Sequence, residues 1–168
     1  MIHQEVNELI HQGENVAVEF KELPVRPEVI AREMVAFANS SGGVILLGVT
    51  DQGRLCGVGA ASHLEEWIMN IARTSVIPAL TVSCEIVAVN GVNVCVVGIP
   101  KGSDKPYQTG DKYLIRVGST NRVASQSELM RLFQCSGMFH YDAVPVASAS
   151  MNDLNMAALD AFFSSYGI

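Results

Sequence analysis

Leu80-Thr-Val-Ser-Cys-Glu-Ile-Val-Ala-Val89, Asn90-Gly91 and Val92-Asn-Val-Cys-Val-Val-Gly-Ile99 follow one another without a break. Two β-branched, apolar runs joined by Asn-Gly spell a β-hairpin, because those two residues accept the positive φ that a two-residue turn demands. Such a turn forces its strands to be antiparallel. Upstream, Val44-Ile-Leu-Leu-Gly-Val49 is continuously apolar and short, as expected of a central strand covered on both faces. Before it, Pro24 and Pro27 break the chain, and Ile30, Met34, Phe37, Ala38 and Ser41 trace one face of a helix that Gly42-Gly43 stops. Helices alternate with strands, but the hairpin excludes a purely parallel, doubly wound sheet. The predicted class is therefore α+β: a mixed, largely antiparallel sheet with a central hairpin, flanked by helices.

The ends of the chain extend this frame. Ile2, Val6, Leu9 and Ile10 have helical spacing and predict an opening helix that ends near Gly13. The period then becomes two, so Val16, Val18 and Phe20 share one strand face while Ala17, Glu19 and Lys21 share the other. Asp51-Gln-Gly53 predicts a turn into a second strand near Arg54 to Val58. Ser62-x-x-Glu65 reads as a capping box ahead of a helix with Leu64, Trp67, Ile68, Ile71 and Ala72 inward. Residues 100 to 112 read as a polar loop and Tyr113 to Val117 as a strand. Ser125-x-x-Glu128 is a second capping box, ahead of Leu129, Leu132 and Phe133. Residues 142 to 150 read as a linker, and Leu154, Ala157, Ala158, Ala161 and Phe162 as one more amphipathic helix.

At 168 residues, 49% hydrophobic and 17% charged, the composition fits one core with tails and excludes a disordered class. No run of 18 apolar residues occurs, and the expected location is the cytoplasm, with no membrane partner. Cys56, Cys84, Cys95 and Cys135 lie far apart, without zinc-ligand spacing to any of the four histidines, and read as buried reduced thiols. The formal charge of −6 argues against coating nucleic acid by bulk electrostatics, so any phosphate-binding surface has to be local. Residues 101 to 131 supply an excess: Lys101, Lys105, Lys112, Arg116, Arg122 and Arg131 against Asp104, Asp111 and Glu128. Residues 1 to 50 are acidic by contrast, with seven glutamates against Lys21, Arg26 and Arg32.

Several chemistries lack their motif. There is no Gly-x-x-x-x-Gly-Lys-Ser/Thr loop to support ATP, Gly57-x-Gly59-x-x-Ser62 lacks the third glycine of a dinucleotide fingerprint, and no Gly-x-Ser-x-Gly elbow occurs. Glu14, Glu19 and Asp51 are placed to converge on one sheet end. There they would hold a divalent cation such as Mg²⁺ or Mn²⁺, with Lys21 stabilising charge at a phosphorus centre, which is nuclease chemistry. The competing readings are a Glu19–Lys21 salt bridge and a turn role for Asp51. Arg116 and Arg122, with the amides of Gly118 to Asn121 leading toward a helix start, would receive a phosphate; the competing reading makes Arg116 a structural arginine paired to a nearby acid.

Val18-Glu-Phe-Lys21, Ala36-Phe-Ala-Asn-Ser-Ser-Gly-Gly-Val-Ile-Leu-Leu-Gly-Val-Thr-Asp51 with Gly53 and Gly57, Lys105-Pro-Tyr107, and Tyr113-Leu-Ile-Arg-Val-Gly-Ser-Thr-Asn-Arg122 together resemble the Schlafen Alba-like (AlbA_2) domain. That family is described as DNA-binding and also carries the label of a divergent AAA domain. The resemblance spans residues 5 to 135. It implies a nucleic-acid-binding domain over 1–140, then a linker and helix over 141–168 leading to a further C-terminal region missing from this chain, as in bacterial transcriptional regulators and RecG-like ATP-dependent helicases. The expected partner is nucleic acid, DNA or RNA, contacted through Lys105, Lys112, Arg116 and Arg122. Schlafen proteins that cleave transfer RNA use three acids at positions similar to Glu14, Glu19 and Asp51. Those enzymes join two lobes in one cradle, so the resemblance implies a homodimer here. A module that only dimerises is the third alternative, and whether the chain is an enzyme stays open.

Overall fold

The computed structural model describes residues 3–59, 63–136, 150 and 153–165. They fall into two units, Met1–Met138 and Phe139–Ile168. The first unit runs α1 (His3–Gln12), β1 (Val18–Lys21), α2 (Pro27–Asn39), β2 (Gly43–Leu47), α3 (Leu64–Thr74), β3 (Ser83–Val89), β4 (Val92–Ile99), β5 (Leu114–Val117), β6 (Thr120–Val123) and α4 (Gln126–Cys135). The second holds α5 (Met156–Ser165), none of whose described residues is buried. The predicted linker lies outside the described residues except for Ser150.

The main sheet has the order β1-β2-β4-β3, parallel between β1 and β2 and antiparallel elsewhere, which is the α+β class expected. Asn90 and Gly91 take φ of 49° and 80° at the hairpin tip, as a two-residue turn requires. The period-two alternation sorts side chains onto two cores. Ile45, Leu47, Cys95 and Val97 meet Ile30, Met34 and Phe37 of α2 and Ile68 and Ile71 of α3. Val18, Phe20, Leu46, Val94 and Val96 meet Val6 and Ile10 of α1. Each such apolar side chain contributes about 1.5–3 kcal/mol on leaving water.

Four expectations change. The segment Arg54 to Val58 forms no strand: only a Val49–Leu55 bridge survives, because the Gly48 carbonyl takes the amides of Cys56 and Gly57, both at 2.9 Å. Leu80 to Val82 precedes β3 rather than opening it. Residues 120 to 123 form β6, and Gly118-Ser119 is the turn of a second hairpin, not the approach to a helix. Cys56 and Cys135 are exposed, so only Cys95 is a buried thiol. Ser62 lies outside the described residues; His63 occupies the cap of α3 without a side-chain bond. The Ser125 box forms in both directions.

The end of α2 sets the position of everything downstream. Gly42, at φ +81°, donates its N–H to Phe37 O at 2.9 Å, and a Cβ there would come within 2.7 Å of Ile99 O and Lys101 N. Only glycine permits that approach.

Candidate functional site

The first strand places Glu19 and Lys21 on the α2 side of the sheet, opposite Ile45 and Leu47. Glu33, one turn beyond Ile30 on α2, faces the same space and is buried. Arg116 of β5 enters between them with its side chain 1% exposed. Its Nη2 donates to Asn15 O at 2.8 Å and Val18 O at 3.1 Å, and its Nη1 to Asn121 Oδ1 at 3.2 Å and Glu33 Oε2 at 3.4 Å. The guanidinium lies 4.8 Å from the centre of the Phe37 ring, a cation–π distance. Glu19 Oε2 sits 2.7 Å from Arg116 Nη2 but makes no hydrogen bond, so that pairing is Coulombic. Glu19 Oε1 takes Lys21 Nζ, which also donates to Phe20 O at 3.0 Å, and Asn121 Nδ2 donates to Glu33 Oε2.

Arg116 thus closes the free edge of β1, supplying donors to carbonyls that no neighbouring strand meets. Burial holds the Glu33 carboxyl above its ordinary range, reinforced by the Glu19 charge and opposed by Asn121, Lys21 and Arg116. A pocket of about 380 Å³ opens over the cluster, rimmed by Arg32, Ser119 and Thr120.

A second lock joins the end of α2 to the loop before β5. Lys105 Nζ donates to Asn39 O and Ser40 O, both at 2.8 Å, placing a cation at a helix C-terminus. Burial, and after it the Lys101 charge, lowers the pKa of Lys105. Asn39 donates to Tyr107 O and Leu114 O at 2.8 Å and accepts the Tyr107 N–H at 2.7 Å. Ser40 Oγ accepts the Arg116 N–H at 2.9 Å. The motif residues Asn39, Ser40, Lys105, Tyr107 and Arg116 therefore bond mainly to one another and to the first strand.

Of the four cations expected at phosphates, Lys105 and Arg116 are turned inward, and Lys112 and Arg122 are exposed. Arg122 forms a fork to Glu128, 2.8 Å and 2.6 Å, which raises the Arg122 pKa and lowers that of Glu128. Lys101, Lys112 and Arg131 are exposed, and among the described residues none has an acidic partner. The ring of Tyr113, beside Lys112, has its centre 6.4 Å from that of Phe133 on α4, the helix that carries Arg131.

The acids expected as metal ligands do not assemble. Glu14 Oε1 accepts the Phe20 N–H at 3.0 Å, Glu19 faces two cations, and Asp51 is exposed in the turn that Gly53 N closes on Thr50 O at 2.8 Å. Among the described residues no group of three His, Cys, Asp or Glu side chains could hold a metal ion. The donor set does not fit Mg²⁺ or Mn²⁺, which want several converging oxygens. Glu33 and Asn121 are the site residues that sequence reading missed. Glu33 carried a signal, a carboxylate inside an apolar helical stripe, whereas Asn121 entered through its backbone amide and the stretch Tyr113 to Arg122, with no role given to its side chain.

No helix of the described residues is long and apolar enough to cross a membrane. Comparison with curated protein sequences returns no match. Among solved structures, the chain is similar to the DIP2311 protein from Corynebacterium diphtheriae, with 24% identity, a TM-score of 0.57, and coverage of 88% of this chain but 29% of that one. It thus spans less than a third of that protein. It is also similar to the N-terminal domain of an ATP-dependent DNA helicase RecG-related protein from Nitrosomonas europaea, with 17% identity, a TM-score of 0.57, and coverage of 89% and 99%. At these identities the likeness establishes the fold. The sequence itself matches the family model described as Schlafen, AlbA_2 over residues 14–125, the span that contains both locks. On that match the chain belongs to the Schlafen, AlbA_2 family.

Proposed function

We propose that this chain is a nucleic-acid-binding module of a bacterial, cytoplasmic transcriptional regulator, working as a homodimer. The observation that carries the reading is the local charge: residues 101 to 131 hold six cations against three acids, in a chain whose net charge is −6. Lys101, Lys112 and Arg131 keep solvent-exposed charge without an acidic partner among the described residues, and Arg122 lies between Lys112 and Arg131 in sequence, on β6, paired to Glu128. Lys112 and Arg122 serve as phosphate contacts. Lys105 and Arg116 act as positioning residues, holding the loop and the β5–β6 hairpin against α2. Contacts of this kind bind phosphate without reading bases, so affinity falls steeply with salt.

A metal-dependent nuclease has no support in the arrangement of Glu14, Glu19 and Asp51. An ATP-dependent role belongs to the name of the Nitrosomonas relative, not to a phosphate loop in this sequence. Titration of labelled duplex DNA, single-stranded DNA and transfer RNA with the full chain, at several salt concentrations, tests the reading. Salt-sensitive binding to at least one of them supports it, and no binding at low salt refutes it.

A further inference from the structure

The main sheet has two edges, and they are treated differently. At one, β1 is four residues long, carries Glu19 and Lys21 on its α2 face, and has its Val18 carbonyl taken by Arg116. Short length, charge and a covering side chain are devices that keep an edge from pairing with another chain. At the other edge, β3 has seven residues, Ser83-Cys-Glu-Ile-Val-Ala-Val89, with no proline, no lysine and an unbroken register against β4, so no bulge. Among the described residues, Ser83, Cys84 and Ile86 to Val89 make no backbone hydrogen bond beyond the pairing with β4. Ile86 is 43% exposed at the middle of this strand.

We infer that β3 is the dimer interface: two copies of this chain pair β3 to β3 in antiparallel fashion about a two-fold axis at Ile86, joining two four-stranded sheets into one of eight strands. Strand addition of this kind satisfies the outward N–H and C=O groups of both copies at once. The sequence of β3 is self-complementary about that axis. On the α2/α3 face Ile86 meets the partner's Ile86, and Cys84 meets the partner's Ala88. On the other face Glu85 stands opposite the partner's Val87, so like charges are not opposed. Any register displaced by two or more residues from this one leaves part of a seven-residue strand unpaired. The occupant is a second copy rather than an extended peptide because this fit comes from the strand itself and needs no other sequence. The inference deepens the dimer part of the proposed function and is independent of its nucleic-acid part.

Analytical ultracentrifugation of the full chain in reducing buffer, over ~1–200 µM, reads the equilibrium directly. Expected is a concentration-dependent species of twice the 18.1 kDa chain mass. Its dissociation constant rises at least about tenfold in Ile86→Lys, where two ammonium groups oppose each other. Hydrogen exchange at β3 amides should slow as concentration rises, while exchange at β1 does not change. If Ile86→Lys does not fold, judged by circular dichroism, Ala88→Lys at a second exposed position gives the same reading. A wild-type chain that stays monomeric throughout overturns the inference, as does a dimer that both lysine variants leave unweakened. Nucleic-acid binding by a monomer would sink the β3 interface while leaving the binding reading intact.

Discussion

Replacing Arg116 by alanine separates the two roles an arginine at this position can have. In the structure its donors reach Asn15 O, Val18 O, Asn121 Oδ1 and Glu33 Oε2, its charge faces Glu19 at 2.7 Å, and 1% of its side chain is exposed. Removing it strands two carboxylates beside Lys21 and leaves the Val18 carbonyl with the Asn15 N–H as its remaining donor, at 3.0 Å. Breaking a buried ion pair by deleting one partner costs about 3–5 kcal/mol, a large part of the ~5–15 kcal/mol that holds a domain of this size. Arg116→Ala should therefore lower the unfolding free energy by that amount in urea melts followed by circular dichroism. Arg116→Lys restores charge without the planar fork and falls between alanine and wild type. Arg122→Ala, the exposed control, leaves the midpoint close to that of wild type. A loss below about 1 kcal/mol in Arg116→Ala, combined with loss of nucleic-acid binding by the folded protein, would refute the structural assignment of Arg116.

Glu33 predicts a pH dependence of unusual sign. Its folded pKa is raised above 4.5, chiefly by burial, so the native state keeps a proton that the unfolded state releases. Its contribution to stability is present below the ordinary glutamate value and is lost as pH rises through the raised one. Urea midpoints across pH 4 to 8 should show this fall in wild type and lack it in Glu33→Gln; equal slopes in the two proteins would contradict it. Lys105→Met removes a charged donor from Asn39 O and Ser40 O and should cost about 1.5–3 kcal/mol, measured by the same melts, although no acidic partner is lost. Millimolar Mg²⁺ or Mn²⁺ should leave the thermal midpoint of wild type and Asp51→Ala alike unmoved; a rise confined to wild type would restore the acids as a metal site.

The legibility of the fold follows the strength of local signals. The hairpin at Asn90-Gly91, the buried strand at Val44 and the helix ending at Gly42 are stated by turn chemistry and period, and all three stand. The strand β6 was not legible, because Thr120-Asn-Arg-Val123 is exposed almost throughout and alternates nothing. The false strand after Asp51 failed for the opposite reason: Gly53 and Gly57 take positive φ, and the backbone of Gly48 claims the segment as a loop. At the site, side-chain period put Glu19 and Lys21 on one face correctly, but it could not reveal that Arg116, some hundred residues away in the chain, fills the space beside them. Glu33 was the readable clue: it falls between Ile30 and Phe37 on the buried stripe of α2, where a carboxylate requires a partner.

The charge assignment comes down to a slope. Plotting the logarithm of the nucleic-acid association constant against the logarithm of salt concentration, for wild type and for the combined Lys101→Ala, Lys112→Ala, Arg131→Ala variant, counts the phosphates these residues neutralise. The prediction is a negative wild-type slope that flattens by about 0.7–0.9 for each cation removed, with the unfolding midpoint preserved. Identical slopes, or wild-type binding indifferent to salt, would contradict the placement of the phosphate-binding surface on residues 101 to 131.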